Sequence, residues 1–311
     1  MKHKIYVDGQ EGTTGLRIHE YLSARADIEV LRIDPTKRKD VNERRRLLNE
    51  ADVAFLCLPD AAAIESVALV ANPHTCIIDA STAHRINPDW AYGVPELSAV
   101  YRERIRTKKR IANPGCHATA FILPLKPLID SKIIDSSATI CSYSISGYTG
   151  GGKKRIEQYE RGDDPKLKSP RPYAMNLHHK HLPEMRVHSG LQHAPVFSPI
   201  VGDFARGLAC TILLPTKQLG ITAQDLHQCL AEYYSDEHFV RVMPLNDMNN
   251  LDRDHFDVQA TNDTNYIDVF VFASDHQALL VGRLDNLGKG ASGAAIQSMN
   301  IHLGCIEATG L

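Results

Sequence analysis

The first part of the chain alternates short apolar runs with segments of helical spacing. Continuous apolar runs at residues 4–7, 28–31, 53–58 and 76–79 predict strands, and Ile18 and Leu22 fall at helical spacing between the first two. Strands that are apolar throughout, rather than alternating, are typical of a parallel sheet covered on both faces. The pattern therefore predicts an α/β fold with a doubly wound, Rossmann-like nucleotide domain.

The pattern changes after about residue 135. Alternating, β-rich segments appear at residues 138–143, 208–214 and 266–272, and a polar stretch rich in Gly, Lys, Arg, His and Pro occupies residues 147–190. A loop of that length in a compact domain is usually functional or disordered. We expect this half to form an α+β domain for substrate binding and dimerisation.

Composition narrows the class of protein. The chain has 311 residues, 43% hydrophobic residues and a formal net charge of -2, which is ordinary for a globular protein and does not indicate binding to nucleic acid or a membrane surface. The N-terminus lacks the features of a signal peptide. No apolar stretch reaches the roughly 18 residues of a membrane span. A cytoplasmic location is the expectation.

One of the seven cysteines has distinctive surroundings. Four lie in apolar, strand-like runs and are predicted to be buried and inert: Cys57, Cys76, Cys141 and Cys210. The odd number and the absence of a Cys-x-x-Cys pair argue against a disulfide framework or a cysteine-rich zinc site. Cys116 instead follows a Pro-Gly turn and precedes an apolar helix at 118–125. A helix N-terminus stabilises a thiolate, so Cys116 is the candidate nucleophile, the alternative being a structural cysteine after a turn.

A glycine-rich segment follows the first predicted strand and opens a helix. Its sequence is Gly-Gln-Glu-Gly-Thr-Thr-Gly, over residues 9–15. Glycines let the backbone approach a pyrophosphate, and the helix N-terminus supplies N–H groups to it. The spacing differs from the common Gly-x-Gly-x-x-Gly fingerprint, and a plain strand-to-helix turn is the alternative. We expect the phosphate-binding residues to be Gly9, Gly12, Thr13, Thr14 and Gly15.

The end of the second predicted strand bears on the choice of cofactor. An acidic residue there favours NAD, whereas a basic residue accommodates the 2′-phosphate of NADP. Arg32 stands at this position ahead of Asp34, and Lys37 and Arg38 follow. The basic run favours NADP(H), unless it is only a solvated loop.

Several ordered segments together resemble one enzyme family. The chain is similar to the N-acetyl-γ-glutamyl-phosphate reductases, in the shorter of that family's two forms. Two departures are His84, where the family usually has an aromatic residue, and residues 146–153, which only loosely match a glycine-rich loop of the longer form. The matching segments are residues 9–15, Asp-Ala-Ser-Thr-Ala-His-Arg at 79–85, 92–97, Asn-Pro-Gly-Cys-His-Ala-Thr at 113–119, His-Lys-His-Leu-Pro-Glu at 179–184, 206–207 and 286–293.

This resemblance implies a domain division and a proton carrier. Residues 1–115 with 289–311 would form the NADP-binding domain, and 116–288 the catalytic and oligomerisation domain. The general acid/base would be His181, with His179 as the alternative. Two histidines at alternate positions of an extended segment could also serve a metal. No acidic or cysteine partner stands at ligand spacing, so no metal is expected.

The remaining site residues are polar groups that an anionic substrate and the cofactor require. Arg85 and Arg206 are candidates for the phosphate and carboxylate ends of an acyl phosphate, because guanidinium pairs bidentately with such groups. Asn113 is a further substrate-binding candidate. The resemblance places Asn286 beside the nicotinamide.

The implied reaction is reduction of N-acetyl-L-glutamyl 5-phosphate to the 5-semialdehyde in arginine biosynthesis. Cys116 would displace phosphate to give a thioester, NADPH would reduce it, and His181 would move the proton. Aspartate- or aminoadipate-semialdehyde dehydrogenase is the nearest alternative, and a non-catalytic nucleotide-binding regulator the more distant one. The resemblance also implies a homodimer or homotetramer.

Overall fold

A computed structural model describes residues 2–311 and divides the chain into two compact units. The first unit comprises the residues up to Pro114 together with Ala291–Leu311, and the second comprises Gly115–Gly290. The sequence predicts boundaries at 115/116 and 288/289, within two residues of these.

The strands of the described residues are β1 (His3–Asp8), β2 (Ile28–Leu31), β3 (Val53–Leu56), β4 (Cys76–Asp79), β5 (Ala91–Tyr92), β6 (Arg110–Ala112), β7 (Cys141–Ser146), β8 (Arg171–Pro172), β9 (Val196–Val201), β10 (Leu208–Leu214), β11 (Val240–Val242), β12 (Leu251–Asp252), β13 (His255–Phe256), β14 (Ile267–Ala273) and β15 (Ala278–Leu284). The α-helices are α1 (Thr13–Ser23), α2 (Val41–Glu50), α3 (Asp60–Ala68), α4 (Ala99–Thr107), α5 (Cys116–Asp130), α6 (Lys153–Arg161), α7 (Leu182–Ser189), α8 (Thr216–Leu219), α9 (Ala223–Tyr233) and α10 (Gly293–Leu303).

The first unit is built on a parallel sheet, as its apolar strands predict. The strand order is β2-β1-β3-β4-β6-β5, and each neighbouring pair is parallel. Buried apolar residues lie on both faces, including Ile5 and Val7 on one side and Tyr6 on the other. The carboxyl ends of parallel strands share one edge, where ligands of such sheets bind. The loops after β1, β2, β4 and β6 all leave from that edge.

The second unit is an α+β domain around a mixed sheet, as predicted. Its strand order is β11-β14-β15-β10-β7-β9-β8. Ser144, Cys210 and Gly282 are cross-strand partners and form a row on one face of β7, β10 and β15. Helix α5 packs on that face against β10 and β15. The site residues at the start of α5 are therefore carried by the centre of the sheet.

Two prolines inside α5 determine how the helix packs. A proline has no N–H, so Pro124 and Pro127 leave the carbonyls of Ala120 and Leu123 without their usual helical donors. The Leu123 carbonyl accepts a hydrogen bond from the Tyr234 hydroxyl at 2.6 Å. The Ala120 carbonyl lies directly over Gly282, where an added Cβ would be 2.3 Å from the oxygen. Helix and sheet approach this closely because residue 282 has no side chain.

The polar stretch at 147–190 is not one long loop. It contains the helices α6 and α7 and two 3₁₀ turns, at Tyr148–Gly151 and Pro165–Lys168. The expected extended conformation at the paired histidines is also wrong, because His181 has helical angles (φ -90°, ψ -10°) as the residue before α7. Within α6 the polar residues surround a single buried position, Tyr159, so the apolar periodicity that indicates a helix is weak there.

No helix in residues 2–311 is both long enough and apolar enough to cross a membrane.

We expect Gly282→Ala to destabilise the second unit by about 1–3 kcal/mol, because the new methyl group would overpack the contact with the Ala120 carbonyl. Gly150→Ala is the matched control, since a Cβ there meets only the Asn286 amide at 3.6 Å. Denaturant unfolding of both variants and the parent measures the difference. Equal stability of Gly282→Ala and the parent would show that helix α5 can shift away from β15 at little cost.

Candidate active site

Cys116 is the first residue of α5, as the sequence predicts. Gly115 is the N-cap and has an extended conformation, and no side chain caps the helix. The Gly115 N–H donates instead to the buried carboxylate of Glu184, at 3.1 Å. Cys116 itself is half-buried and forms no disulfide. The helix dipole favours a thiolate at this position, whereas the Glu184 carboxylate opposes it.

The other cysteines in apolar strands have thiols of different character. Burial raises the pKa of Cys57 and of Cys76 to about 12 and also raises the pKa of Cys210. These groups remain protonated near neutral pH and are poor nucleophiles. Cys57 and Cys141 are half-buried by solvent exposure, so the prediction that they are buried is only partly correct.

Gly290 lies against the nucleophile. A Cβ added at residue 290 would be 2.7 Å from the Cys116 Cβ. The Gly290 N–H donates to the Asp285 carbonyl, five residues earlier, within a π-helical turn at Gly288–Ser292. Such turns are rare and occur often at functional sites. A side chain at residue 290 would displace Cys116.

Three histidine rings cluster in the second unit, and one of them belongs to His117, the residue after Cys116. The ring centroids of His179 and His181 are 4.7 Å apart, and those of His117 and His181 are 5.6 Å apart. His181 is buried, and its backbone N–H donates to Nδ1 of His179 at 3.2 Å. Both acid/base candidates therefore lie within one aromatic cluster with the residue that follows Cys116.

Sequence reasoning did not single out His117, Ser144 or Tyr173. His117 is buried, and its ring nitrogens contact the hydroxyls of Ser144 (Nδ1, 2.8 Å) and Tyr173 (Nε2, 3.0 Å). Burial lowers the pKa of His117 to about 3, and the charges of His179 and Lys180 contribute. The available sequence signal was a histidine within an otherwise apolar helix.

The glycine loop of the first unit has the geometry of a phosphate site. Gly9 has a positive φ of +88°, and an added Cβ would be 2.3 Å from the Cys57 carbonyl. A Cβ at Gly15 would be 2.6 Å from the Gly9 carbonyl. Gly12 is the N-cap of α1, which has no side-chain cap. The first N–H groups of α1, at Thr13 and Thr14, thus belong to an uncapped helix end, which fits an anionic pyrophosphate.

An open groove of about 960 Å³ runs beside this loop. Its walls include Gln10 and Glu11 from the loop and Arg32 from the end of β2. Arg38 is held by an ion pair with Glu11, and Lys37 is exposed. The groove has the place and the basic side chain that the adenosine part of a dinucleotide requires.

The loops after β4 and β6 are joined by buried polar contacts. The Arg85 Nε donates to the Asn113 carbonyl at 3.0 Å, and Arg85 Nη2 donates to the Ala80 carbonyl. His84 pairs with the buried Asp79 at 2.7 Å and stacks on Trp90 at 3.9 Å. Its planar ring therefore fills the position where the family usually has an aromatic side chain. Arg85 thereby holds the backbone at Asn113, which precedes Cys116 by three residues in the chain.

The side-chain amide of Asn113 has a hydrogen-bonded nitrogen and an oxygen without a hydrogen-bond partner in residues 2–311. Its Nδ2 donates to the Ala291 carbonyl at 2.9 Å. Its Oδ1 is buried and has no hydrogen-bond partner within residues 2–311. A buried acceptor without a donor is costly unless a ligand supplies one. This oxygen supports the assignment of Asn113 to ligand binding.

Arg206 and Asn286 lie together in the second unit. Arg206 forms a bidentate pair with Asp263, at 2.5 and 2.9 Å, and its Nη1 is 3.5 Å from the buried Asp285. Asn286 accepts a hydrogen bond from the Gly207 N–H and donates to the Thr149 hydroxyl. Asn286 thus fixes the loop that carries Arg206.

Within residues 2–311 no group of three or more His, Cys, Asp or Glu side chains is arranged to hold a metal ion.

Family models match both units. Residues 4–107 match the semialdehyde dehydrogenase NAD binding domain, and residues 116–286 match the semialdehyde dehydrogenase dimerisation domain. Among solved structures, aspartate semialdehyde dehydrogenase II from Vibrio cholerae has a TM-score of 0.72 at 14% identity, covering 97% of this chain and 98% of that one. Aspartate semialdehyde dehydrogenase with NADP from Candida albicans has a TM-score of 0.66 at 17% identity, covering 97% and 98%. At 14% and 17% identity, the similarity to these structures is evidence of a shared fold only.

Relatives with higher sequence identity indicate a narrower enzyme family. N-acetyl-gamma-glutamyl-phosphate reductase 2 of Nostoc sp. is 46% identical, covering 100% of this chain and 99% of the relative. The N-acetyl-gamma-glutamyl-phosphate reductase of Burkholderia lata is 42% identical, covering 97% of each.

A parallel-sheet unit with a glycine loop, followed by a unit that opens on a helix-terminal cysteine, defines a nucleotide-dependent dehydrogenase of the semialdehyde dehydrogenase class. Within that class, the two full-length relatives carry the name of a single enzyme family. The chain belongs to the N-acetyl-γ-glutamyl-phosphate reductase family, which confirms the resemblance found in the sequence.

The buried His117 makes the stability of the protein depend on pH. In the unfolded chain His117 takes up a proton as the pH falls below about 6.5, but the folded protein excludes that proton until the pH reaches about 3. The free energy of unfolding therefore decreases as the pH falls through this window. His117 alone lowers it by about 2 kcal/mol at pH 5. We expect the unfolding free energy of the parent to fall more steeply than that of His117→Asn between pH 7.5 and 5. Equal slopes in denaturant titrations would contradict the burial of a neutral His117.

Proposed function

We propose that the protein reduces N-acetyl-L-glutamyl 5-phosphate to N-acetyl-L-glutamate 5-semialdehyde with NADPH, as a step of arginine biosynthesis. The observation that carries this proposal is the placement of Cys116 at an uncapped helix N-terminus, with the His181 ring next to that of the following residue, His117, in a chain of this family. The metabolic role follows from the shared name of its full-length relatives.

Cys116 and His181 carry the chemistry in this proposal. The Cys116 thiolate attacks the acyl carbon, a C–S bond forms, and the C–O bond to phosphate breaks, which leaves a thioester and free phosphate. When bound, the reduced cofactor supplies the hydrogen and the electron pair that reduce this thioester. His181 donates a proton to the carbonyl oxygen while the tetrahedral adduct exists on Cys116. It accepts the proton again when the C–S bond breaks and the aldehyde leaves.

His179 remains the alternative proton carrier, and the support for His181 is its burial. His181 is buried directly before α7, whereas His179 is half-buried. A buried imidazole is shielded from bulk water, which suits a proton transfer confined to the bound substrate.

Arg206, Arg85 and Asn113 are the proposed substrate-binding residues. Arg206 already binds a carboxylate in bidentate fashion, that of the exposed Asp263, so a substrate carboxylate or phosphate would replace Asp263 with the same geometry. Asn113 offers its open oxygen as an acceptor. The Arg85 contacts to backbone carbonyls support a role in shaping the site.

The proposed cofactor is NADP(H). Its pyrophosphate would lie at the α1 N-terminus, on the N–H groups of the segment 9–15, and its 2′-phosphate near Arg32, Lys37 and Arg38 in the adjoining groove. Asn286 orders the loop that ends at Gly207, and its proposed place is on the nicotinamide side of the site.

We also propose a homo-oligomer, a dimer or a tetramer, that works in the cytoplasm. The sheet register of the second unit aligns Val196, Cys141, Leu213 and Leu279 in a row on the face opposite α5. Val196, Leu213 and Leu279 are exposed there. A second copy of the chain would cover this apolar row, in keeping with the dimerisation domain that the family model describes.

Aspartate-semialdehyde dehydrogenase is the second candidate, because the solved neighbours carry that name. Sequence identities of 14% and 17% to those structures, against 46% and 42% to the acetylglutamyl relatives, favour the acetylated substrate. A non-catalytic regulator would be expected to lack the nucleophile or the proton carrier, and the chain has both.

The assay that tests the function runs the reaction in reverse. Purified protein receives N-acetylglutamate semialdehyde, NADP and phosphate, and NADPH formation is followed by absorbance. We expect turnover that falls at least ~1,000-fold in Cys116→Ser, because the hydroxyl is a far weaker nucleophile than the thiolate at neutral pH.

Three results would contradict the proposal in different ways. Undiminished turnover in Cys116→Ser would refute the thioester route. Preference for aspartate semialdehyde in competition would refute the N-acetylglutamyl group as the substrate's acyl chain. Nucleotide binding without turnover of either aldehyde would favour the regulator.

The cofactor preference is tested at Arg32. We expect Arg32→Ala to weaken NADP binding about tenfold, equivalent to ~1.4 kcal/mol, and to leave NAD binding nearly unchanged, because only NADP carries the 2′-phosphate. Arg45→Ala is the control, an exposed arginine on α2 outside the groove. Calorimetric titration with both nucleotides measures the ratio, and an equal loss for NADP and NAD would remove Arg32 from 2′-phosphate recognition.

A further inference from the structure

Three charged residues of the second unit meet beside the aligned ends of three strands. The start of β10, the start of β14 and the end of β15 are cross-strand neighbours. Arg206 lies two residues before β10, Asp263 lies four residues before β14, and Asp285 directly follows β15. The pairing of the strands therefore brings together an arginine and two carboxylates that are distant in the sequence.

The two carboxylates contact the guanidinium in different ways. Asp263 pairs with both Nη atoms of Arg206, at 2.5 and 2.9 Å, and its side chain is 58% exposed. Asp285 lies 3.5 Å from Nη1 of Arg206, and its side chain is fully buried. The pair with Asp263 is therefore the shorter one, whereas the pair with Asp285 is the one shielded from water.

Burial determines which of the two contacts can be exchanged. An exposed ion pair contributes little to stability, because water solvates either partner after separation. A buried carboxylate that loses its cation is left with an uncompensated charge, which is costly. The Asp285 carboxylate accepts hydrogen bonds from the N–H groups of Asp263 (2.9 Å) and Leu287 (2.8 Å), and Arg206 brings a positive charge to it. Arg206 is therefore expected to stay at Asp285 when Asp263 is displaced.

The backbone contacts of this region do not depend on the Asp263 carboxylate. The Arg206 carbonyl accepts hydrogen bonds from the side-chain amides of Gln259 and Asn262, both at 3.0 Å. The Asp263 N–H is bound to Asp285. Release of the Asp263 carboxylate thus requires the rotation of one exposed side chain and leaves these contacts in place.

Asp285 is also connected to the nucleophile, through its backbone. Its carbonyl accepts the Gly290 N–H at 3.0 Å, and a Cβ added at residue 290 would be 2.7 Å from the Cβ of Cys116. The side chain of Asp285 thus contacts the proposed substrate-binding arginine, while its carbonyl holds the turn that lies against Cys116.

We propose that Asp285 is a positioning residue that holds the Arg206 guanidinium in place for the substrate carboxylate, and that Asp263 is the exchangeable partner that this carboxylate replaces. A substrate carboxylate offers two oxygens to the two Nη atoms, as Asp263 does. Asp263 therefore competes with the substrate, whereas Asp285 supports its binding. The inference rests on the role of Arg206 in the proposed function but not on the length of the acyl chain.

The same chemical change at the two carboxylates should have opposite effects. Asp263→Asn removes the competing charge, and asparagine tolerates the left-handed backbone conformation found there (φ 55–66° class, here φ +62°). In steady-state assays we expect KM for N-acetylglutamate semialdehyde to fall about threefold in Asp263→Asn and to rise about tenfold in Asp285→Asn. In both variants kcat should stay within about twofold of the parent, because the Asp285 carbonyl and the turn at Gly290 are retained.

Asp163→Asn is the matched control for these assays. It changes an exposed carboxylate that pairs with Arg161 rather than with Arg206, and its KM and kcat should match those of the parent. A KM in Asp263→Asn equal to or above that of the parent would show that Asp263 does not compete with the substrate. A loss of kcat and of thermal stability in Asp285→Asn, with KM unchanged, would reduce Asp285 to a role in folding.

A crystal structure of Asp263→Asn tests the positioning role without any change at Asp285. We expect the Arg206 guanidinium to remain beside the Asp285 carboxylate after the exposed carboxylate has been removed. An Arg206 side chain turned away from Asp285 would overturn the inference. This measurement needs neither substrate nor turnover, so a wrong acyl chain would leave it intact and would show instead as missing turnover of the aldehyde by the parent.

Discussion

The contact between the Ala120 carbonyl and Gly282 is the constraint on which the second unit depends. Pro124 removes the N–H that would occupy this carbonyl, and the absent side chain at 282 lets the helix rest on the backbone of β15. The same approach fixes the first turn of α5 against Gly290 and brings His117 to Ser144. Cys116 is therefore placed by a backbone contact at the centre of a sheet.

The charges around the nucleophile are balanced. The helix N-terminus favours a thiolate, while the Glu184 carboxylate on the Gly115 amide works against it. The adjacent His117 is held neutral by burial and so adds no positive charge. Cys57, Cys76 and Cys210 do not lie at a helix N-terminus, and burial is the main cause that raises the pKa of their thiols.

The sequence predicted the elements whose signal is local. The strands β1 to β4 are continuous apolar runs, and the turn at Pro114 and Gly115 marks the start of α5. Helices α6 and α7 were missed because their residues are largely polar, and the bend at His181 was missed because its angles depend on α7. The pairing of His117 with Ser144 and Tyr173 joins residues 27 and 56 positions away, and no local pattern encodes it.

Tyr234 shows how the packing of α5 extends to a distant residue. Its hydroxyl binds the Leu123 carbonyl that Pro127 leaves open, across 111 residues of chain. A proline at 127 without a hydroxyl at 234 would bury a carbonyl that has lost its helical donor. A hydroxyl at 234 keeps its acceptor whatever stands at 127, because a carbonyl oxygen can accept two hydrogen bonds. The dependence therefore runs in one direction: the tyrosine makes the proline tolerable inside the helix, and the proline is not needed for the tyrosine.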